Sequence, residues 1–297
     1  MPTVATRSVS GGGLSYREFL PSPELAEPIE YLWTLQADGA LASPVQQISA
    51  GKSSVDLILS LDGYFCARAE SHLFGRPGAG AYLVGPLSEA HTIATTGRCS
   101  AVGVRFRPGH AHKFFRLAMH ELTDRCLDVA SISATVERGL SGVVHDARHD
   151  WRRVEAMQNA LSHLRSDRSQ EHAGSAALAA IRLIDERGGA VDVETLARAL
   201  GSSVRQLERR FRATIGLSPK LACRIARVRH AMSFLPLRNG QNWSDVVYAC
   251  GFYDQAHFIR EFRAIAGVTP GKFANGCATA PNVEEVAFVQ YGASAEG

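Results

Sequence analysis

Residues 251–267 read GFYDQAHFIREFRAIAG, and they hold Asp254, Gln255, His257, Arg260, Glu261 and Arg263. Carboxylates, an imidazole and guanidinium groups this close together are the material of a general acid–base site. They are equally the material of a polar helix face laid on a charged partner. Phe258 and Phe262 fall four apart and give the segment an apolar side to bury. Which chemistry applies depends on the elements that carry these side chains.

A related segment stands upstream. FRATIGLSP (211–219) and FRAIAGVTP (262–270) agree at five of nine positions, so the chain carries a duplicated unit. Each copy reads as helix, tight turn, helix. In the first, Val193, Leu196, Ala197 and Leu200 give the leading helix its apolar side. Gly201 makes the turn, because glycine takes positive φ without steric cost. Ser203 caps the next helix, and Leu207, Phe211 and Ile215 recur four apart. In the second copy Val246, Val247 and Cys250 take the leading part, Gly251 turns, Asp254 caps, and Phe258 and Phe262 are buried. The second turn is one residue longer.

The polar residues then fall on outward faces. Arg205, Glu208, Arg209 and Arg212 lie away from the Leu207–Phe211 stripe. Gln255, Ala256, His257, Ile259, Arg260 and Arg263 lie away from Phe258 and Phe262. Arginine takes a guanine edge bidentately, Gln and His pair with base edges, and Ile or Ala meets a thymine methyl. Helix-turn-helix units set such a face in the major groove. Charge agrees with this: residues 173–275 carry 15 Lys/Arg against 8 Asp/Glu, whereas residues 1–172 carry 17 against 18. The basic excess coincides with the duplicated unit, as in a polyanion-binding module.

Residues 176–275 resemble the DNA-binding domain of AraC/XylS-type transcription regulators, through LARALGSSVRQLERRFRATIGLSP and DVVYACGFYDQAHFIREFRAIAGVTPGKF. The resemblance implies two helix-turn-helix units joined by a linker helix, here from about Pro219 to about Leu235. Ile225, Val228, Met232 and Leu235 give that helix an apolar side, and Arg227 and Ala231 match the family's Arg-x-x-x-Ala. Carried over by position, base reading falls on Arg205, Glu208 and Arg209, and on Ala256, His257 and Arg260. Ser203, Gln206, Arg212, Gln255 and Arg263 are the expected phosphate and positioning contacts. Ala197, Gly201, Leu207, Phe211, Gly251, Asp254, Phe258, Phe262 and Pro270 are expected to hold the units in shape. Val247 stands where the family usually has Ala, so the second unit is expected to be the wider one. Double-stranded promoter DNA is the implied partner, with RNA polymerase added for an activator.

The first half reads as strands punctuated by Gly and Pro. SVDLILSLDG (54–63) is expected to be a strand ending in a turn, followed by strands at 80–86, 91–97 and 99–109. ELAEPIEYLWTL, YLVGP and GVRFRPG resemble the N-terminal domain of one AraC subgroup, which implies a cupin-like β barrel followed by helices. In that family such a domain senses a small-molecule effector or mediates dimerisation; the effector here is unknown. The expected chain is thus an α+β protein of two domains. A cupin-like sensing or dimerisation domain spans 1–165, and a polar linker spans 166–175. An all-α double helix-turn-helix domain spans 176–275, and a tail spans 276–297. Val154, Met157, Leu161 and Leu164 form a seam that either packs on the barrel or joins a homodimer through residues 151–165. EEVAFVQYG (284–292) is a returning strand or a short ordered end.

Other chemistries find less support. No run approaches the apolar length of a membrane span, and the opening MPTVATRSVSGGG lacks the pattern of a signal peptide, so a cytoplasmic protein is expected. Six scattered cysteines without a CxxC pair read as reduced thiols. His110 and His112 form an HxH pair, but they follow the last clear strand and lack the Glu and later His of a cupin metal site. None of the cysteines has the Pro-Cys-His surroundings of a methyl-accepting repair site, and neither a G-x-S-x-G elbow nor a phosphate loop is present. No cofactor, metal or catalytic residue is expected. The competing readings are a cupin-type enzyme carrying a DNA-targeting domain and a constitutive regulator whose barrel is only a scaffold.

Overall fold

A computed structural model describes residues 7–11, 14–38, 45–68, 73–74, 80–115, 117–145, 149–164, 175–235 and 243–279. The first half is one antiparallel sheet. Its strands are β1 (Arg7–Gly11), β2 (Leu14–Phe19), β3 (Ile29–Asp38), β4 (Val45–Ser49), β5 (Val55–Arg68), β6 (Leu73–Phe74), β7 (Gly80–Val84), β8 (His91–Phe106) and β9 (Cys126–Asp128). They run in the order β1-β2-β3-β8-β5-β7-β9, with β4 on β8 and β6 on β5. Alternation along the strands sends apolar side chains to both faces, and among the described side chains each face carries a buried cluster. Leu32, Leu57, Leu83, Val102, Val104 and Phe106 fill one core. Tyr16, Trp33, Leu35, Ile58 and Ala101 fill the other. Gly103 makes the second core possible: a Cβ there would stand 2.1 Å from Trp33 Cε2.

Two strand expectations are corrected. The strand beginning near Val55 does not turn at 62–63 but runs on to Arg68. Its ladder with β8 shifts register between Ser60 and Asp62 and again between Asp62 and Tyr64, so the expected turn is absorbed as irregular pairing. The separate strands expected at 91–97 and 99–109 are a single strand, β8. Gly97 does not break it, because Thr96 pairs with Tyr64 on one side and Arg98 with Asp38 on the other. A further strand, β9, follows the last strand that the sequence suggested, at 99–109, and pairs with β7.

Buried charge is concentrated at one place in the sheet. Arg105 donates to both oxygens of Asp56, Nε at 2.9 Å and Nη2 at 3.1 Å. Lys52 Nζ donates to Asp56 Oδ2 as well. Burial would raise the Asp56 carboxyl, but Arg105 and Lys52 outweigh burial and hold it well below the usual carboxylate range. Burial pulls Lys52 down to about 8.

Two short helices, α1 (Val129–Ile132) and α2 (Ala134–His145), lead to α3 (Asp150–Leu164). Val154, Met157 and Leu161 of α3 are fully buried in the sheet's first core, with Leu164 packed against it. The seam is therefore spent inside its own domain. Residues 165–174, most of the expected linker, and 280–297, with EEVAFVQYG, lie outside the described residues.

The second half is helical: α4 (Ser175–Glu186), α5 (Val193–Ala199), α6 (Val204–Ile215), α7 (Pro219–Phe234), α8 (Trp243–Ala249), α9 (Gln255–Ala266) and α10 (Pro270–Thr279). It has two cores. Ile181, Leu196, Leu207 and Phe211 close the first together with Ala222 and Cys223 of α7. Val246, Val247, Phe258 and Phe262 close the second with Ile225, Val228 and Ala231 of the same helix. Thus α7 lends its first turns to one unit and the rest to the other.

Candidate nucleic-acid interface

The first unit is α5–turn–α6. Asp192 caps α5, its Oδ1 accepting the Thr195 N–H at 2.7 Å. Gly201 takes φ 58° and turns the chain. Ser203 and Gln206 then close a reciprocal capping box on α6: Ser203 Oγ accepts the Gln206 N–H, and Gln206 Oε1 accepts the Ser203 N–H. Leu207, Phe211, Thr214 and Ile215 turn inward, and Gly216 ends the helix at φ 96°. Ser218 caps α7, with Pro219 at its first position.

The second unit is α8–turn–α9, on the same plan. Gly251 turns at φ 70°, and Asp254 Oδ1 accepts the His257 N–H at 2.6 Å. Phe258, Phe262, Ile265 and Ala266 are buried, and Gly267 ends the helix at φ 75°. Phe252, Phe258, Phe262 and Phe273 stack edge to face, with centroids 5.0, 5.6 and 5.7 Å apart.

The second helix of each unit, α6 and α9, exposes a broad face, and one stripe runs along it at matched positions in both. On α6 it is Arg205, Glu208, Arg209 and Arg212; on α9 it is Ala256, Ile259, Arg260 and Arg263. Both follow the i, i+3, i+4, i+7 spacing of a single helical face. Among the described residues Arg205, Arg209, Arg212, Arg260 and Arg263 have no ion-pair partner. Gln255 is exposed in the first turn of α9. Three expected contact residues have other duties. Ser203 and Gln206 are engaged in the cap, and the Ser-x-x-Gln spacing carries that signal in the sequence. His257 is half-buried, its ring edge-on to Phe252 at 5.8 Å. Two exposed residues that the sequence did not single out are Tyr248, at 73%, and Tyr253, at 86%. Tyr253 stands directly before the cap of α9, a place that the turn itself marks.

The linker helix fixes the units to one another. Arg224 forks onto Glu261 of α9 at 2.6 and 3.0 Å, which holds the Glu261 carboxyl below its ordinary range. Arg227 donates to the Gly189 carbonyl of the first unit at 3.1 Å and lies over the Phe252 ring of the second at 5.6 Å. Gly189 has to be glycine: its φ is 77°, and a Cβ there would stand 2.2 Å from the Cys223 carbonyl oxygen.

The sheet domain reaches both units as well. Thr123 Oγ1 donates to the Gly216 carbonyl at 2.7 Å, and the Gly51 N–H donates to the Ile265 carbonyl at 2.8 Å. Gly216 and Gly267 correspond in the repeat, so both ties fall at the C-terminal end of a recognition helix. The loops that make them are themselves bound together. Lys52 and Leu87 exchange backbone hydrogen bonds at 2.9 and 2.8 Å. Asp124 accepts the Ser88 N–H and hydroxyl, each at 2.7 Å. Next to them, Gly109 lies against Leu178 and Ile215 of the first unit.

Among the described residues no set of three His, Cys, Asp or Glu could hold a metal. His110 is 3% exposed, and burial drives its imidazole down to about 4. Cys99, Cys126, Cys223 and Cys250 form no disulfide among the described residues, and burial pushes Cys126 up to about 12 and Cys223 to about 11. Thiols held that high are poor nucleophiles. Among the described residues no helix is long and apolar enough to cross a membrane.

Residues 196–276 match the family described as Helix-turn-helix domain. Residues 17–128 match a Domain of unknown function (DUF6597). No curated protein matches the chain. Among solved structures it is similar to a transcriptional regulator with an AraC-type DNA-binding domain from Chromobacterium violaceum, at 23% identity and TM-score 0.32, over 38% of this chain and 97% of that one. It is similar to ToxT from Vibrio cholerae at 10% identity and TM-score 0.40, over 78% of this chain and 97% of that one. It is also similar to the C-terminal domain of AraT, a response regulator from Geobacillus stearothermophilus, at 19% identity and TM-score 0.32, over 35% of this chain and 87% of that one. At these scores the structural likenesses add no weight to the domain match.

Proposed function

We propose that the chain, whose residues 196–276 match a helix-turn-helix domain, is a sequence-specific DNA-binding transcription regulator of the AraC type and not an enzyme. The observation that carries the reading is the pair of matched stripes, each exposed, each bearing arginines without ion-pair partners, each following a capped tight turn. In it α6 and α9 enter successive stretches of major groove. Arg205, Glu208 and Arg209 read bases in the first, and Ala256 and Arg260 in the second, with His257 at the margin. Arg212, Gln255 and Arg263 meet phosphates. A protein with this task works in the cytoplasm, where the DNA is.

The sheet domain is the controlling half. Support for this comes from the two hydrogen bonds that tie it to the ends of both recognition helices. An effector bound in the sheet would act by shifting those ties. A homodimer through residues 151–165 would have to use the outer face of α3, where Trp151 is 41% exposed.

The test is selection of bound fragments from the host's genomic DNA by the purified protein at near-physiological salt. The expected result is one enriched motif of two blocks about a helical turn apart. Binding should weaken steeply as salt rises, through counterion release. No enrichment, with or without small-molecule extracts of the host, would sink the reading.

A further inference from the structure

The two recognition helices carry different chemistry at matched positions. By the repeat, Arg205 corresponds to Ala256, Glu208 to Ile259, Arg209 to Arg260 and Arg212 to Arg263. Ahead of these helices, Arg198 corresponds to Tyr248 and Ser202 to Tyr253. At the four of these six pairs that differ, a charged or small hydroxyl side chain in the first unit is aliphatic or aromatic in the second; at the start of the helix Val204 to Gln255 runs the other way.

The structure leaves those apolar groups in water. Five large hydrophobic side chains are exposed among the described residues, and three of them, Tyr248, Tyr253 and Ile259, lie on the second unit; the first unit has none. Exposed apolar groups gathered on one small element mark a contact surface. Its occupant is identified by what surrounds it. Ile259 shares its stripe with Arg260 and Arg263, which have no ion-pair partner among the described residues. A second copy of the chain docked there would have to bury those two cations, which is costly without counter-charges. Duplex DNA meets both needs, with phosphates and guanine edges for the arginines and thymine C5-methyl groups for the apolar side chains.

Resting on the DNA-binding reading, we propose that the two units read different base chemistry. The first reads G·C pairs by hydrogen bonds: Arg205 and Arg209 to guanine O6 and N7, Glu208 to the cytosine amino group. The second reads thymine methyl groups, through Ala256, Ile259 and Tyr253. Arg260 is its principal hydrogen-bonding reader, with His257 at the margin. Tyr248, on the helix that crosses the backbone, donates its hydroxyl to a phosphate. The site on DNA is therefore asymmetric, a G·C-bearing block beside a thymine-rich one.

The experiment uses the full chain and the duplex found by genomic selection, remade with deoxyuridine in place of thymidine in one block at a time. The swap deletes the C5-methyl and leaves every pairing edge intact. Loss of one contacted methyl in the second block should weaken binding about four-fold, the worth of a buried methylene-sized group. The same swap in the first block should change nothing. Ile259→Ala should bind the natural duplex more weakly and lose part of its sensitivity to the swap. Unchanged affinity of wild type on the substituted second block would overturn the proposal, as would a selected second block made of G·C pairs. In both cases enrichment of the first block would still uphold the DNA-binding reading. Absence of any sequence preference would remove both. If Ile259→Glu instead converts a dimer to a monomer in sedimentation while the swap has no effect, the patch is an interface between copies and the proposal fails.

Discussion

The two helix-turn-helix units share a shape and differ in surface. Phe211 and Phe262 are both fully buried, Gly216 and Gly267 both end a recognition helix in the left-handed region, and Pro219 and Pro270 both open the helix that follows. Residues that fix backbone geometry have stayed the same across the duplication. Outward-facing residues agree at Arg209/Arg260 and Arg212/Arg263 and differ elsewhere: α6 carries four arginines and one glutamate, whereas α9 carries two arginines and a glutamate already claimed by Arg224. The interiors differ in degree. The first is closed mainly by aliphatic groups around Phe211, the second by a run of four stacked phenylalanines. A common scaffold thus holds two separate readers, and the comparison can be broken at the scaffold, at the readers or at the ties between them.

The largest effect is expected at the scaffold. Phe211→Ala and Phe262→Ala each remove a fully buried ring, at a cost of about 3–5 kcal/mol. Because the cores are distinct, hydrogen exchange should show Phe211→Ala unprotecting α5 and α6, and Phe262→Ala unprotecting α8, α9 and α10. Identical loss of protection over both units in both variants would mean that α7 fuses them into one cooperative core. At the readers, Arg209→Ala should weaken binding by about 1–3 kcal/mol and relax specificity at one base pair in the first block. Equal weakening on every sequence, measured by repeating the selection, would make Arg209 a phosphate contact.

How legible all this was follows the same division. The turns and caps stood open in the sequence, because only a few residue types serve there: Gly201 and Gly251 for positive φ, Ser203 and Asp254 for unpaired helix N–H groups. The stripe on α3 was legible as a seam, but its spacing is equally good for a sheet and for a second chain; burial of Val154, Met157 and Leu161 decided it. Gly97 misled, because a glycine ends a strand only where neighbours do not offer a ladder. Tyr253 went unread because a single exposed aromatic has no period. The ties between domains had no sequence signal at all. Thr123 and Gly216 are 93 residues apart, and one of them contributes only a carbonyl.

Acid should weaken the fold where the sheet domain meets the first half of the helical domain. His110 sits beside Gly109, which packs on Leu178 of α4 and Ile215 of the first unit, and it faces Lys113, Glu27, His112 and Arg182. Burial holds its imidazole at about 4, against an ordinary value of 6.5. Above 6.5 the folded and unfolded chains are both neutral at this site, and stability does not change. As pH falls from there toward about 4 the unfolded chain takes up a proton that the folded one refuses, so stability falls, by at most about 1.4 kcal/mol per pH unit. The Asp56 cluster does not confuse this window. Its carboxyl is held well below its ordinary value of 3.8, so its contribution is lost only at lower pH. Two other groups act in the same window: burial raises the Asp185 carboxyl from 3.8 to about 6, which adds stability as pH falls through 6, and the His112 imidazole is lowered like that of His110. The His110 part is therefore read as a difference: between pH 7 and 4.5 the melting temperature of the wild type should fall more, or rise less, than that of His110→Gln. An unchanged slope would place the responsible proton elsewhere.

The smallest effect tests the tie itself. The first unit is held by a side chain, Thr123 Oγ1, and the second by a backbone group, the Gly51 N–H. Only the first can be removed without touching the main chain. Thr123→Val keeps the shape and deletes the hydroxyl, leaving the Gly216 carbonyl short of a donor for about 1 kcal/mol. Such a loss is too small to unfold anything, but it frees one end of a two-point attachment. If the sheet domain sets the distance between α6 and α9, selection with Thr123→Val should return the same two blocks with variable spacing, where the wild type returns one spacing. The linker helix makes the opposite outcome equally concrete. Arg224 on Glu261, with Arg227 between Gly189 and Phe252, already bridges the units. A single spacing in the variant would show that these bridges suffice, and that control by the sheet domain must act on access to DNA instead of on the geometry of reading.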